Sequence, residues 1–503
     1  MLTSMLFSPD TSGGAPAGNR AAQWKAVQDA MAKGLPQTAI TNLQPIITSA
    51  LQEKAYPEAV KAIAQKIALE GNIQGNKAEE RITRLEAEIA KLPKEAAPVL
   101  QALLADWYWQ YFQQNKWRFM QRTATTEAPG KDFTTWDLPR LFAEIDKHFQ
   151  GALADSKAIR STPVSAWDAL LVKGTMPDSY RPTLYDFIAH EALEFYTSGE
   201  QAAAKPQDAF ELPSDSPALL SPAQFLAWEP WKTSTDTNSA ALRAIRTYQE
   251  LMRFHEKDAP PSLAFAHVDL ERLTWAWNVA FGEDKNARYK GALEAFVTRN
   301  ADDEISALAL ERHAQVLRQE GDLVGARKLA LRGSELFAES PGGKLCYNLV
   351  GQIESKSVTL VTERIWNAPW PKITIRYKNV ENVHFRAVPY RWGYFMEGQH
   401  RRVGNLNNDE QADLLKMKPV LEWSEKLPPT ADYKEHVFAA KAPITLAKGY
   451  YFIVASVDPG FAQSNNHIAI ADVWVSDLAL VTRNQDGKVE GFVLQANSGE
   501  PVA

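Results

Sequence analysis

Apolar positions follow two different periods along this chain. Up to about residue 355 they recur at i, i+3, i+4 and i+7, which is the period of an amphipathic helix. Beyond that point they alternate with polar positions, in runs rich in β-branched and aromatic residues that Pro, Gly and Asn interrupt. The pattern therefore predicts a multidomain protein, α then β, in which a helical region precedes a β-region.

The first period predicts a series of helices joined by short turns. The predicted helices span 21–33, 36–54, 57–71, 78–92, 94–120, 137–153, 163–173, 183–197, 221–228, 238–257, 265–281, 285–299, 303–319 and 322–338. Helix pairs with short connections are typical of an α-solenoid. In residues 305–343, Ala309, Gly321, Ala326 and Pro341 lie near the small-residue and proline positions of a tetratricopeptide repeat. We therefore expect an irregular, TPR-like helical repeat region.

The second period predicts strands. They lie within 356–365, 372–391, 418–427, 434–446, 449–459 and 468–483. Turn signals at short intervals, without a helical pattern between them, predict a β-sandwich over about 355–480. The tail, 488–503, is predicted to contain one more strand that has no partner after it, and an unpaired strand is a liability in a complete protein. The chain is therefore expected to be a fragment of a longer polypeptide.

These patterns predict four segments. Residues 1–20 form a flexible Ser/Gly/Pro-containing arm without the features of a signal peptide, and 21–350 form the helical repeat region. Residues 355–480 form the β-sandwich, and 481–503 start a following β-domain.

Composition excludes several classes of protein. Lys+Arg 55 against Asp+Glu 61 gives a net charge of −6, and no basic run occurs, which argues against a general nucleic-acid binder. No stretch of about 18 apolar residues is present, so no membrane-spanning helix is predicted. Cys346 is the single cysteine, which excludes an intramolecular disulfide and a multi-cysteine zinc cluster. The one unusual count is the 15 tryptophans.

The densest aromatic segment is 106–123. Trp107 and Tyr111 fall on one helical face, and Trp117 and Arg118 follow. Such a stripe of aromatic side chains is able to stack on sugars or bases. However, the flanking residues do not supply the positive charge that a nucleic-acid-binding surface needs, so packing between helices is the favoured interpretation. These four residues are the candidate interaction patch.

Two further segments contain residue types that catalyse reactions or bind metals. His190, Glu191 and Glu194 lie in HEALE, which lacks the second histidine of HExxH, so a helix with an outward polar face is favoured over a zinc site. Cys346 is placed between the helices and the sheet, as a buried structural thiol. No metal or cofactor is therefore predicted.

The remaining candidates are acidic. Thr135 or Asp137 is expected to cap the helix that follows DFTTWD. Asp186 and Glu191 are the nearest candidates for the carboxylate pair of a glycoside hydrolase. No nucleophile or phosphate-binding motif accompanies them, so the chain is expected not to be an enzyme.

Long strings in the sequence resemble one protein family. DWYWQYFQQNKWRFMQRT, DFTTWDLPRLFAEIDKHF and RPTLYDFIAHEALEFY occur in this order, and they resemble the helical N-terminal region of large bacterial α2-macroglobulin-like proteins. AESPGGKLCYNLVGQIESKSVTL resembles the passage into the first β-domain of that family, and RYKNVENVHFRAV resembles that domain. VWVSDLALVTRNQDGKVEGFVLQANSGEPVA resembles the strand that enters the next domain. The resemblance covers about 95–503.

The resemblance implies a function. Members of the family trap proteases: a protease cuts a bait segment, the β-domains rearrange, and in many members a thioester from a C-x-E-Q motif acylates the protease. Cys346 lies in L-C-Y-N without a following Glu-Gln, so the thioester is not carried over, and no bait segment is placed. The chain is expected to be the non-enzymatic N-terminal portion of an envelope protein, periplasmic or extracellular, with proteases and the remainder of its own polypeptide as partners. The alternative is a helical-repeat scaffold for protein–protein interaction in the envelope.

Overall fold

Helices fill the N-terminal two-thirds of the chain, and β-sheets follow. The computed structural model describes residues 20–73, 75, 77–121, 130, 132–154, 156–168, 170–171, 174–204, 209–236, 238–259, 262–391, 393, 406–443 and 445–502. The predicted order, α then β, is confirmed. Nearly all of the predicted arm lies outside the described residues.

The chain divides into two compact units. Unit 1 comprises the described residues up to Leu310 together with Glu339–Gly342. Unit 2 comprises Glu311–Ala338 and the described residues from Gly343 onward. No helix among the described residues is both long and apolar enough to cross a membrane.

Unit 1 is built from α-helices joined by short turns and 3-10 segments. Its helices are α1 Ala21–Ala32, α2 Pro36–Gln52, α3 Tyr56–Ile73, α4 Ala78–Ile89, α5 Ala97–Gln114, α6 Lys116–Met120, α7 Leu138–Ala154, α8 Ser156–Ser161, α9 Leu184–Tyr196, α10 Pro222–Leu226, α11 Ala240–His255, α12 Leu263–Val279 and α13 Lys285–Arg299. The predicted helix 94–120 is instead a 3-10 turn followed by α5 and α6, which meet at Asn115. The predicted helix 163–173 forms only the 3-10 turn Val164–Trp167 in its described part.

Aromatic side chains hold the middle of unit 1 together. The rings of Trp109 on α5, Phe142 on α7 and Phe195 on α9 lie with their centroids 5.2 to 5.8 Å apart. Phe112 adds an edge-on contact with Phe142 at 5.1 Å. Aromatic ring pairs stabilise a fold by more than the burial of their apolar surface alone. The three helices are therefore packed together around these rings.

Three more helices lead toward the sheets. They are α14 Ile305–Gln319, α15 Leu323–Leu336 and α16 Pro341–Glu354. The sequence pattern did not predict α16, because it starts with Pro-Gly-Gly, which is typical of a loop. Cys346 therefore lies inside a helix, rather than between the helices and the sheet.

Unit 2 contains three sheets in its described part. The strands are β1 Ser357–Val361, β2 Ile365–Trp366, β3 Lys372–Lys378, β4 Asn382–Pro389, β5 Leu421–Lys426, β6 His436–Lys441, β7 Gly449–Ser456, β8 Ile468–Val475, β9 Leu478–Gln485 and β10 Lys488–Gln495. The sheet orders are β1-β3-β6, β2-β8-β7-β4-β5 and β9-β10. All described pairings are antiparallel except that of β2 with β8, which is parallel.

The three-stranded and five-stranded sheets share one hydrophobic core. Alternate residues of β3 and β4, such as Ile375 and Phe385, are fully buried in it, as period-two strands require. Strand β7 is buried on both faces. Its second face packs Phe452 against Leu414 of a further helix, α17 Asn408–Lys416, in a smaller cluster.

The C-terminal tail is paired. Strands β9 and β10 form an antiparallel hairpin through a two-residue turn at Asp486 and Gly487, both with positive φ, as a tight hairpin turn requires. The expectation of an unpaired tail strand was wrong. The predicted strand 468–483 is in fact two strands, β8 and β9, which separate at Ser476 and Asp477.

Candidate functional site

The start of α9 carries a buried ion pair. Thr183 caps the helix, and its backbone N–H and hydroxyl donate to Asp186 Oδ2 at 2.9 and 2.7 Å. The other oxygen, Asp186 Oδ1, accepts from His255 Nε2 at 2.6 Å. On the far side of the ring, His255 Nδ1 lies 2.6 Å from Asp258 Oδ2. Because both carboxylates accept, both nitrogens of His255 donate, as in an imidazolium.

The electrostatics of this pair agree with that assignment. Burial lowers the pKa of His255, but Asp186 and Asp258 together raise it above its ordinary value. Burial raises the pKa of Asp186, but the bonds from His255 and Thr183 lower it below its ordinary value. Every nitrogen and oxygen of the pair is occupied, so the pair serves to join α9 to α11 and leaves no group for a substrate.

A second cluster lies one turn further along α9. His190 Nδ1 lies 2.7 Å from the backbone oxygen of Asp186, and His190 Nε2 lies 3.0 Å from Glu271 Oε2. On α12, His267 Nε2 lies 3.5 Å from Glu271 Oε1, and the two residues share a helix face because they are four apart. Arg181 Nη2 donates to Glu271 Oε1 at 2.9 Å. One carboxylate thus faces three nitrogen-bearing side chains.

The cluster is buried but reaches the surface at one side. The side chains of His190 and His267 are 4% and 3% exposed, whereas those of Glu271 and Arg181 are 23% and 31% exposed. Burial raises the pKa of Glu271, but His267 first, and then His190 and the charge of Arg181, hold it well below its usual range. The carboxylate is therefore ionised.

The cluster also has the composition of a metal site. Each of His190, His267 and Glu271 offers one ligand atom, and these atoms lie within 4.8 Å of one another. Two histidines and one carboxylate are a zinc ligand set that leaves a fourth position open. The structure thus brings His190 of α9 together with His267 and Glu271 of α12, which lie far from it in sequence.

The interpretation of HEALE needs correction. His190 is buried and faces α12, so it does not belong to an outward polar face. Glu194 is exposed, and Glu191 is partly buried, where burial raises its pKa. His267 and Glu271 were not predicted. Their signal was an i, i+4 His/Glu pair within the helical segment FAHVDLERL.

The four residues of the interaction patch lie in different surroundings. Trp107 and Tyr111 are buried, 5% and 2% exposed, within the aromatic packing of α5. Trp117 on α6 is 77% exposed, and Arg118 beside it is exposed and donates to the backbone oxygen of Thr134 at 3.1 Å. Without rearrangement, a partner therefore reaches only Trp117 and Arg118 of the four.

The remaining candidates lie in helices or at a helix start. Cys346 is fully buried, and burial first, with Glu311 adding to it, raises the pKa of its thiol to about 12. A thiol with that pKa is not a nucleophile at neutral pH, so the prediction of a buried thiol is confirmed. Asp137 accepts from the backbone N–H of Arg140 at 3.0 Å and so caps α7, one of the two caps predicted. Asp186 and Glu191 lie on the same helix, and Asp186 is 1% exposed.

Comparisons of this chain with family models, with curated proteins and with solved structures find no match.

Proposed function

We propose that this chain is the non-enzymatic N-terminal portion of an α2-macroglobulin-like protease-trapping protein of the cell envelope. The supporting observation is the layout: a helical unit comes first, and two sheets over one core follow it. That is the order implied by the resemblance of the sequence strings. In the proposal, unit 1 is a TPR-like scaffold, and the paired sheets are an immunoglobulin-like macroglobulin domain.

The helical segments that resemble the α2-macroglobulin-like family pack against one another in the structure. They supply α5 and α6, then α7, then α9, and the rings of Trp109, Phe142 and Phe195 join α5, α7 and α9. Their aromatic content therefore has a packing role, as a scaffold requires.

The test begins with the native reading frame beyond Ala503. The proposal expects several further β-domains, after which the whole polypeptide is incubated with an active protease. A trapped protease elutes with the polypeptide, still cleaves a small peptide, and no longer cleaves a large protein. A frame that stops at Ala503, or a polypeptide that is cut without retaining the protease, contradicts the proposal. A frame that continues without C-x-E-Q makes the trapping non-covalent.

One observation favours the alternative, an interaction scaffold. Trp117 is 77% exposed, which is unusual for a tryptophan, and Arg118 is beside it. Under this alternative, Trp117→Ser weakens capture of an envelope partner at least about tenfold without changing Tm. Tyr347→Ser is the matched control, because Tyr347 is a 73% exposed aromatic of unit 2. Equal capture by both variants and the native chain rejects Trp117 as a contact.

A further inference from the structure

The two ring nitrogens of His190 each lie close to an oxygen that accepts hydrogen bonds. Its Nδ1 lies 2.7 Å from the carbonyl oxygen of Asp186, which only accepts, so Nδ1 carries a proton. In the neutral ring, Nε2 then presents a lone pair, and the nearest carboxylate oxygen is Glu271 Oε2 at 3.0 Å. Two lone pairs at this distance repel one another unless a proton or a metal ion lies between them.

The contact between His190 Nε2 and Glu271 Oε2 favours a metal ion over a shared proton, because the two atoms are close but form no hydrogen bond. Glu271 Oε2 lies 3.0 Å from His190 Nε2, yet Nε2 has no hydrogen-bond partner among the described residues. Two ligands of one metal ion are arranged in this way: each points at the ion, and neither points at the other. His190 is 6% exposed, so water does not readily supply the missing partner.

The separations fit a tetrahedral ion. Zinc bonds of about 2.0–2.1 Å to nitrogen and oxygen place two ligands about 3.3 Å apart. The separation of His190 Nε2 from Glu271 Oε2 is 3.0 Å, and that of His267 Nε2 from Glu271 Oε1 is 3.5 Å. These two distances, one to each oxygen of the carboxylate, lie on either side of that value, and one ligand atom from each of the three residues lies within 4.8 Å of the other two.

Neighbouring groups orient the ligand side chains and set the affinity of the site for a metal ion. The carbonyl oxygen of Asp186 fixes the His190 tautomer that leaves Nε2 free to bind, as carbonyls and carboxylates do around zinc histidines. Arg181 holds Glu271 Oε1 at 2.9 Å and leaves Oε2 for an ion. Its positive charge opposes a metal ion, so it lowers affinity. The exposed side of Glu271 gives the ion a route from solvent.

We propose that His190, His267 and Glu271 bind one divalent transition-metal ion, zinc in preference to magnesium or calcium. Imidazole nitrogens suit zinc, whereas magnesium and calcium require oxygen ligands. The ion joins α9 to α12 and keeps a fourth position for water. This site does not depend on the function proposed above.

The test uses the metal-free full chain. It is titrated with Co²⁺, followed by visible absorption, and with Zn²⁺ in competition with a chromophoric chelator. We expect one ion per chain, intense d–d bands of four-coordinate Co²⁺, and a Tm that rises with Zn²⁺. His267→Ala is expected to weaken binding more than about 100-fold, because removal of a ligand exceeds the effect of removing an outer-shell partner.

A second variant decides the outcome if His267→Ala does not fold. Arg181→Gln keeps all three ligands and removes the opposing charge, so zinc is expected to bind about tenfold more tightly. His436→Gln is the control, because His436 also lies 2.9 Å from a carboxylate, that of Asp432, but no second histidine among the described residues joins them in a metal-binding group. Absence of stoichiometric binding by both the native chain and Arg181→Gln overturns the proposal. Unchanged binding by a folded His267→Ala does the same.

Discussion

Helix α12 carries a buried ion pair between Asp269 and Arg272. Asp269 and Arg272 are 0% and 1% exposed, and Arg272 Nη2 donates to Asp269 Oδ1 at 2.6 Å. Arg272 also donates to the backbone oxygens of Ala218 and Leu220, and Arg299 Nη2 reaches Asp269 Oδ2 at 2.6 Å. Burial of an unpaired charge destabilises the folded state. Loss of Asp269 or of Arg272 is therefore expected to leave the other one buried without its charge partner.

The substitution Asp269→Asn tests this dependence. It leaves the guanidinium of Arg272 buried without a charge partner, so we expect the free energy of unfolding to fall by about 3–5 kcal/mol. Urea unfolding followed by tryptophan fluorescence measures the change. The control is Asp413→Asn, because Asp413 forms an exposed pair with Lys416 and is expected to change stability by less than about 0.5 kcal/mol. A loss below about 1 kcal/mol for Asp269→Asn contradicts the argument.

The ion pair of His255 predicts a pH dependence. The pKa of His255 is raised in the folded chain above its ordinary value of 6.5, so its contribution is complete below about pH 6.5 and is lost as pH rises through the folded pKa. We therefore expect His255→Gln to lower Tm more at about pH 6 than at about pH 9. Thermal unfolding at both pH values checks this. An equal or larger effect at high pH shows that His255 acts only as a neutral hydrogen-bonding group.

At the scale of elements, α16 is positioned by its first turn. A Cβ atom added at Gly342 would lie 2.3 Å from the backbone nitrogen of Leu308 and 2.6 Å from the carbonyl carbon of Ala307. Backbone atoms cannot move aside as a flexible side chain does, so only glycine allows this approach of α16 to α14. Gly351 lies on the same helix with nothing within 4 Å of its Cβ position.

The two glycines provide a matched pair of variants. Gly342→Ala is expected to lower the free energy of unfolding by about 1–3 kcal/mol, because it forces backbone apart. Gly351→Ala is expected to raise it by about 0.5–1 kcal/mol, because alanine favours a helix interior. Chemical denaturation of both variants measures the opposite signs. If both variants change stability in the same direction, the close approach at Gly342 does not control packing.

The same elements show what sequence can predict. Helices with a clear period, such as α7 and α13, were predicted to within a residue or two. Helix α16 was not predicted, because its first residues, Pro-Gly-Gly, are typical of a loop. The glycines are needed for the close contact with α14, and a local sequence pattern does not contain that tertiary contact. The partnership of His190 with Glu271 escaped prediction for a similar reason, since α9 and α12 meet only in the folded chain.

At the scale of the whole molecule, the helical and β parts are connected inside unit 2 by Asn379. Its side-chain amide donates to the backbone oxygens of Ile353 and Ser355, at 2.9 and 3.1 Å, where α16 ends. Its backbone N–H donates to Thr430 Oγ1 at 2.8 Å, and its φ is 56°, a value that asparagine tolerates. One residue thus holds the end of a helix, a turn and a loop together.

Replacing Asn379 separates backbone strain from hydrogen bonding. Asn379→Gly keeps the positive φ and loses the side-chain bonds, so we expect a loss of about 1–2 kcal/mol in the free energy of unfolding. Asn379→Ala adds the strain of a positive φ and is expected to lose about 1 kcal/mol more. Thermal unfolding of the two variants measures the difference. Equal stability of Asn379→Ala and the native chain rejects the role of Asn379 as a connector.

The division of the chain has a consequence for its synthesis. The stretch Glu339–Gly342 belongs to unit 1, although Glu311–Ala338, which precedes it, belongs to unit 2. Domains generally fold in order as a ribosome releases them, from the N-terminus onward. Unit 1 cannot take up its last piece until residue 342 has left the ribosome, and by then the first helices of unit 2 are already outside. The two units therefore share an interval of folding on the ribosome, and a pause in translation shortly before residue 339 holds both incomplete.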